Sequence, residues 1–227
     1  MLFGDGSEAA KQAVQAIKVW SLDNFNWTFI FIMAVVFYVY WSEWRKGNYK
    51  ALLAGAALYC VHWFYEIVNS YIYYLSGPGV EPGYPLWAVS NASTSFILLV
   101  GVSWELSMMF TLAGIIAWKM LPEDRTKRFL AKGNFKGIPC KVVTVIGMAL
   151  LFSVCEIFLA ATPAFIWVYK WWGAIPVFIT TYIPFFIAAI YVPDTSKKFK
   201  IIFFSVMCAV NLIMLAVMIP LYIVPNL

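Results

Sequence analysis

His62 and Glu66 lie four residues apart in the apolar run ALLAGAALYCVHWFYEIVNSYIYYL, residues 51–75, and His62 is the only histidine in the chain. A spacing of four puts both side chains on one helical face, and Asn69 and Tyr73 continue the same stripe. An ionisable group deep in an apolar span costs about 3 kcal/mol or more unless it is paired, so it marks a functional position before a structural one. Glu105 and Glu156 lie in apolar runs of their own, and no Asp, Lys or Arg falls well inside any such run. Three intramembrane glutamates and one histidine, with no buried cation to neutralise them, fit general acid–base chemistry.

Other chemistries fit less well. Metal sites favour several histidines, and the Glu-x-x-His module of di-iron bundles is absent. A bis-histidine haem lacks its second ligand, and retinal attachment would need a lysine within a span. No metal and no cofactor are therefore expected. A carboxyl taken from water into an apolar bundle favours its neutral form. In that form it can protonate an alkene or epoxide of a lipophilic substrate. Glu105 or Glu66 is the expected proton donor, with His62 orienting or exchanging the proton. Trp63, Asn69, Tyr73, Trp104, Glu156, Thr180 and Thr181 are the expected substrate contacts, the aromatic ones stabilising a carbocation. The plainer alternative is that each polar group is satisfied across the bundle, as serine, threonine and the mid-span Asn211 commonly are.

Positioning these residues requires a membrane. Of 227 residues 63% are hydrophobic and only 12% charged, well outside the range of soluble domains. Six runs, approximately 26–44, 51–76, 94–118, 142–162, 171–193 and 199–223, are each long enough to cross a core of roughly 30 Å. Residues 1–25 carry Asp5 and Glu8 at capping-box spacing, then Ala10, Ala13, Val14, Ile17 and Trp20 at helical spacing. They predict an amphipathic helix on the membrane surface. The expected fold is thus all-α: a polytopic membrane bundle of about six transmembrane helices over 26–227, preceded by that interfacial helix. The boundary between the fourth and fifth helices is open, because Pro163, Pro176 and Pro184 can kink or break helices there.

The net charge of +5 does not point to nucleic acid, because 13 of the 16 basic residues fall in three alternate loops, 43–50, 119–141 and 194–200. The positive-inside rule makes those loops cytoplasmic and places both termini on the opposite side. At 1.5 Å per residue, His62 then stands about 16 Å and Glu66 about 22 Å above the cytoplasmic end of the second span, with Glu156 level at about 21 Å. Glu105 falls near the midplane. All four share one slab, which predicts a common polar cavity. The Gly- and Pro-rich stretch 77–93 is external; Asn91-Ala92-Ser93 and Asn26-Trp27-Thr28 match the glycosylation tripeptide too close to the spans for use. The four cysteines do not make a disulfide framework, and there is no internal repeat or phosphate-binding glycine pattern.

The pair His62-Trp63-Phe64-Tyr65-Glu66 and the glutamate in VSWELSMMF resemble the emopamil-binding (EXPERA) family of membrane sterol isomerases. That resemblance implies protonation of a ring double bond and removal of a proton elsewhere, in a cavity open to the membrane, by His62, Glu66 and Glu105. The chain departs from the family in having Thr180 and Thr181 where the isomerases place an asparagine, and in its sixth span. Trp104-Glu105 is also similar to a pair in the small membrane terpene cyclases of fungal pathways.

The function expected is isomerisation or cyclisation of a sterol, terpenoid or similar lipid by intramembrane proton donation and abstraction. Two alternatives stay open: a non-catalytic or lipid-binding subunit of a larger membrane complex, and a small transporter or channel. The expected partners are a lipophilic small molecule, the membrane itself, and either a second copy or other membrane subunits. The expected location is the endoplasmic reticulum in a eukaryote and the inner or plasma membrane in a prokaryote.

Overall fold

A computed structural model describes residues 27–76, 83–89, 96–134, 136–162 and 164–223. The expected interfacial helix over 1–25, both glycosylation tripeptides and Pro163 fall wholly or partly outside these residues. The described chain is mostly helical, as its apolar runs require, and five helical segments are long and apolar enough to cross a membrane. They are α1 (Trp27–Arg45), α2 (Tyr49–Leu75), α4 (Cys140–Ala160), α5 (Ile175–Asp194) and α6 (Lys197–Leu221). Between α2 and α4 stands a shorter helix, α3 (Trp104–Lys119).

The third apolar run is where the structure departs from the sequence reading. Residues 94–118 were expected to form one spanning helix, but Ile97–Leu99 (β2) and Val102–Ser103 (β3) form an antiparallel hairpin instead. The helix starts only at Trp104, where the Ser103 hydroxyl caps it by accepting the Leu106 N–H at 3.3 Å. Its 16 residues reach about 24 Å. A continuous apolar run carries no period with which to tell a buried strand from a buried helix. Extended backbone is tolerated inside a membrane bundle where protein covers it. Ile97, Leu99, Val100 and Val102 are all fully buried, so the hairpin meets that condition.

α2 is the central element and packs most closely on α3. The crossing is made by small residues: a Cβ placed on Gly114 would fall 2.5 Å from the Ala54 carbonyl oxygen and 2.8 Å from the Gly55 Cα. Such close backbone approach replaces the hydrophobic drive that lipid does not provide. The Tyr40 hydroxyl bonds that of Thr111, tying α1 to α3. At the basic end, the buried Glu43 accepts from Lys119 at 2.5 Å and Asn48 at 2.7 Å, and Asp194 bridges Lys50 at 2.7 Å and Lys141 at 2.5 Å. α6 attaches to α2 through Asn211 Nδ2, which donates to the Cys60 carbonyl at 2.9 Å, and the Tyr71 hydroxyl, which donates to the Met214 carbonyl at 2.8 Å. The outer faces of α1 and α6 stay apolar and exposed, as lipid contact demands.

The segments between the helices also fold. Trp87–Val89 (β1) pairs antiparallel with Phe165–Trp167 (β6), and Arg128–Phe129 (β4) with Ile138–Pro139 (β5). α5 is the irregular helix: a π-helical turn spans Phe178–Tyr182 between α-helical Ile175–Val177 and Ile183–Tyr191. Pro184 has no N–H to offer the Thr180 carbonyl one turn earlier. The Tyr65 hydroxyl of α2 donates to that carbonyl at 2.7 Å instead.

Candidate functional site

The first glutamate of the site is set by local chain geometry. His62 and Glu66 share a face of α2 as their spacing requires, and His62 Nε2 lies 3.3 Å from Glu66 Oε1. Their alignment is not that of a hydrogen bond, and neither imidazole nitrogen has a hydrogen-bond partner among the described residues. The ring is held by packing: it stacks on Phe110 of α3 at 4.1 Å and meets the edge of Phe185 of α5 at 5.9 Å. Glu66 Oε2 accepts the indole N–H of Trp87 at 3.1 Å.

The second glutamate is held the same way from the other side. Glu156 on α4 accepts the indole N–H of Trp167 at 2.6 Å on Oε1, and the Tyr182 hydroxyl on Oε2. Trp87 and Trp167 are opposite partners in the β1–β6 register. Opposite residues of an antiparallel pair point to one face, so one strand pair presents both indoles to the two acids.

Between the acids lies a cavity of about 40 Å³, lined by His62, Glu66, Glu156, Thr181 and Tyr182 among apolar and aromatic side chains. That is room for about one to three water molecules. Thr181 and Trp172 are lining residues whose hydroxyl and indole N–H lack hydrogen-bond partners among the described residues. Trp172 stacks on Trp87 at 5.7 Å. Two glutamates, a histidine and two hydroxyl residues thus line one small space with aromatic rings around it. The arrangement can pass a proton between its carboxyls and offers ring faces to a developing positive charge.

The expected site residues divide. His62, Glu66, Glu156 and Thr181 line this cavity. Glu105, expected to share the cavity with them, stands in the first turn of α3. Its carboxylate accepts the Phe96 N–H at 3.3 Å, at the foot of the hairpin, and it does not line the cavity. The reason is the hairpin itself, which takes up the residues meant to carry Glu105 into mid-helix. Asn69 lies on the expected face, but its carboxamide is taken by backbone: Oδ1 accepts Leu86 N–H at 2.8 Å and Nδ2 donates to the Trp87 carbonyl at 2.9 Å. It therefore fixes β1 and aims Trp87. Trp63 packs on Tyr59, Tyr73 on Tyr74, and Trp104 on Phe29, all away from the cavity. The Thr180 hydroxyl donates to the Pro176 carbonyl at 2.7 Å.

Trp87, Trp167, Trp172 and Tyr182 were not among the expected site residues. The π-turn brings both Thr181 and Tyr182 to the cavity, which an ideal helical wheel does not foresee. The hairpin turn closes over Glu66: a Cβ on Gly101 would fall 2.3 Å from Trp87 Nε1 and 2.5 Å from Glu66 Oε2. A glycine in the middle of an apolar run was the available signal.

Residues 7–220 match a family described as "Uncharacterized membrane protein family". An uncharacterized protein of Archaeoglobus fulgidus is 32% identical over 191 residues, covering 83% of this chain and 84% of that protein. No solved structure matches the chain.

Proposed function

The chain belongs to this uncharacterized membrane protein family, and we propose that it is an integral membrane enzyme performing acid–base isomerisation or cyclisation on a lipophilic substrate. The observation that carries the reading is the placement of Glu66 and Glu156 on one cavity, each held by its own indole. One carboxylic acid gives its proton to an alkene carbon, and the cation forms at the neighbouring carbon. The other carboxylate removes a proton from an adjacent carbon, so the double bond moves or a ring closes with no net change in composition. His62, 3.3 Å from Glu66, is placed to return the proton between turnovers. The inner space of about 40 Å³ takes only the reacting end of the molecule. Leu106, Leu159, Phe165 and Val177 give that space its apolar lining. Sterols and terpenoids are the substrate classes proposed, supported by the likeness of His62–Glu66 to the isomerase pair. An archaeal relative supports the plasma membrane as location.

The test is deuterium incorporation. The purified protein, reconstituted with a total lipid extract in heavy water, is expected to place deuterium on carbon in one lipid species. Glu66→Gln and Glu156→Gln are each expected to abolish it with the fold intact. Incorporation that persists in both variants overturns the reading. A second reading, a small proton pathway, is favoured by the water-sized cavity between two carboxyls. Proton uptake by protein-loaded vesicles, lost in the same variants and without any labelled lipid, would select it.

A further inference from the structure

Away from that cavity, and sharing no lining residue with it, an apolar groove of about 420 Å³ runs between α4 and α5. Val142, Val145 and Ile146 form one wall, and Ile183, Ile187 and Tyr191 the other. Its volume falls within the range of about 300–1,000 Å³ typical of small-molecule sites. One end of the groove is basic. Lys141 precedes Val142 on α4, and its ammonium lies 5.3 Å from the centre of the Tyr191 ring. Asp194 is the acid in contact there, and it is shared between Lys141 and Lys50. Lys200 adds a third ammonium, donating to the Pro193 carbonyl at 3.3 Å. Three lysines against one carboxylate leave an excess positive charge at the mouth of an apolar channel.

We propose that this groove binds one hydrocarbon chain of an anionic membrane lipid, whose headgroup rests against Lys141 and Lys50. The chemistry asks for both parts. The walls offer hydrocarbon contact to a chain lying along the helices, and the excess of ammonium groups over the single Asp194 carboxylate selects a negative headgroup over a zwitterionic one. Lys141 is mostly buried while Lys50 is exposed, so Lys141 is the selective contact and Lys50 a screened one.

The test uses the full-length protein in mild detergent, with phosphatidylglycerol and phosphatidylcholine of identical chains added at equal concentration. Retained lipid is read by native mass spectrometry. The wild type is expected to retain phosphatidylglycerol, and Lys141→Ala to hold it about fivefold less well, the effect of about one lysine. Ile187→Trp, which fills the groove, is expected to lose both lipids. Asp194→Asn removes the compensating acid and is expected to strengthen the preference for phosphatidylglycerol, a change opposite in sign to that of a misfolded variant. Equal retention of the two lipids by the wild type overturns the proposal. So does an Ile187→Trp variant that still retains phosphatidylglycerol, or a dimer whose interface covers the groove.

Discussion

Trp87 and Trp167 stand opposite each other in a two-stranded sheet, and their indoles bond Glu66 and Glu156 respectively. The strands are only three residues long and the tryptophans are 80 positions apart, yet this pairing sets the geometry of both acids. Trp87→Phe and Trp167→Phe keep the rings and delete one donor each. A hydrogen bond to a charged or charging group contributes about 1.5–3 kcal/mol. Each variant is therefore expected to slow deuterium incorporation by about 10- to 100-fold. Each should also shift the infrared carboxyl band of its own glutamate alone. A band that does not move in Trp87→Phe would show that the bond to Glu66 is not made in the membrane.

Gly101 gives a steric test of the same acid. Its Cβ position is occupied by Trp87 Nε1 and Glu66 Oε2, so Gly101→Ala must displace the hairpin turn or separate the two partners. Overpacking of this kind costs about 1–3 kcal/mol. The expected result is a lower melting temperature together with an altered Glu66 carboxyl band.

At the α2–α3 crossing the obstacles are backbone atoms, which no rotamer change can move. Gly114→Ala is expected to destabilise by about 1–3 kcal/mol, and more if the helices cannot separate. Gly147 on α4 has nothing within 4 Å of its Cβ position. Gly147→Ala is expected to be neutral or stabilising by up to about 1 kcal/mol through helix propensity. Unfolding of the two variants in one detergent series would separate them, and equal stabilities would mean that the helices do not touch at Gly114.

The carbonyl freed by Pro184 supplies a coupled prediction. Tyr65→Phe leaves the Thr180 carbonyl without its donor, at a cost of about 1–3 kcal/mol. Pro184→Ala restores a backbone N–H in that turn, so in its background the Tyr65→Phe cost should shrink. A double-mutant cycle on thermal stability measures the difference. Strict additivity would mean that the tyrosine hydroxyl does not serve the proline's vacated partner.

The long helices were legible because apolar runs of 18 or more residues leave few other solutions. His62 and Glu66 were legible from spacing alone, and Glu156 from depth arithmetic along its own span. The third run misled because strand and helix look alike when every residue is apolar. That error put Glu105 in mid-helix, whereas it stands in the first turn of α3 at the foot of the hairpin. The β1–β6 pair left no local trace, since two short strands that find each other across the chain show neither period nor turn signal near one another. Without it, neither Trp87 nor Trp167 could be tied to an acid. Asn69 was placed on the right face, but a sequence does not tell whether a carboxamide serves a ligand or a neighbouring strand.

The short sheet has a consequence for how the site can fail. Side chains alternate faces along a strand, so a slip of β1 by one residue would turn Trp87 away and bring Ala88 to its place. Glu66 would lose its indole at once, and Trp167 would face a different partner, disturbing Glu156 as well. Asn69 grips the backbone on both sides of this register, accepting from Leu86 and donating to Trp87. The two acids therefore share one reference: the amide of Asn69 on α2 is the index pin for the register that aims both indoles, so a slipped strand unseats both acids together, whereas the loss of one indole unseats one.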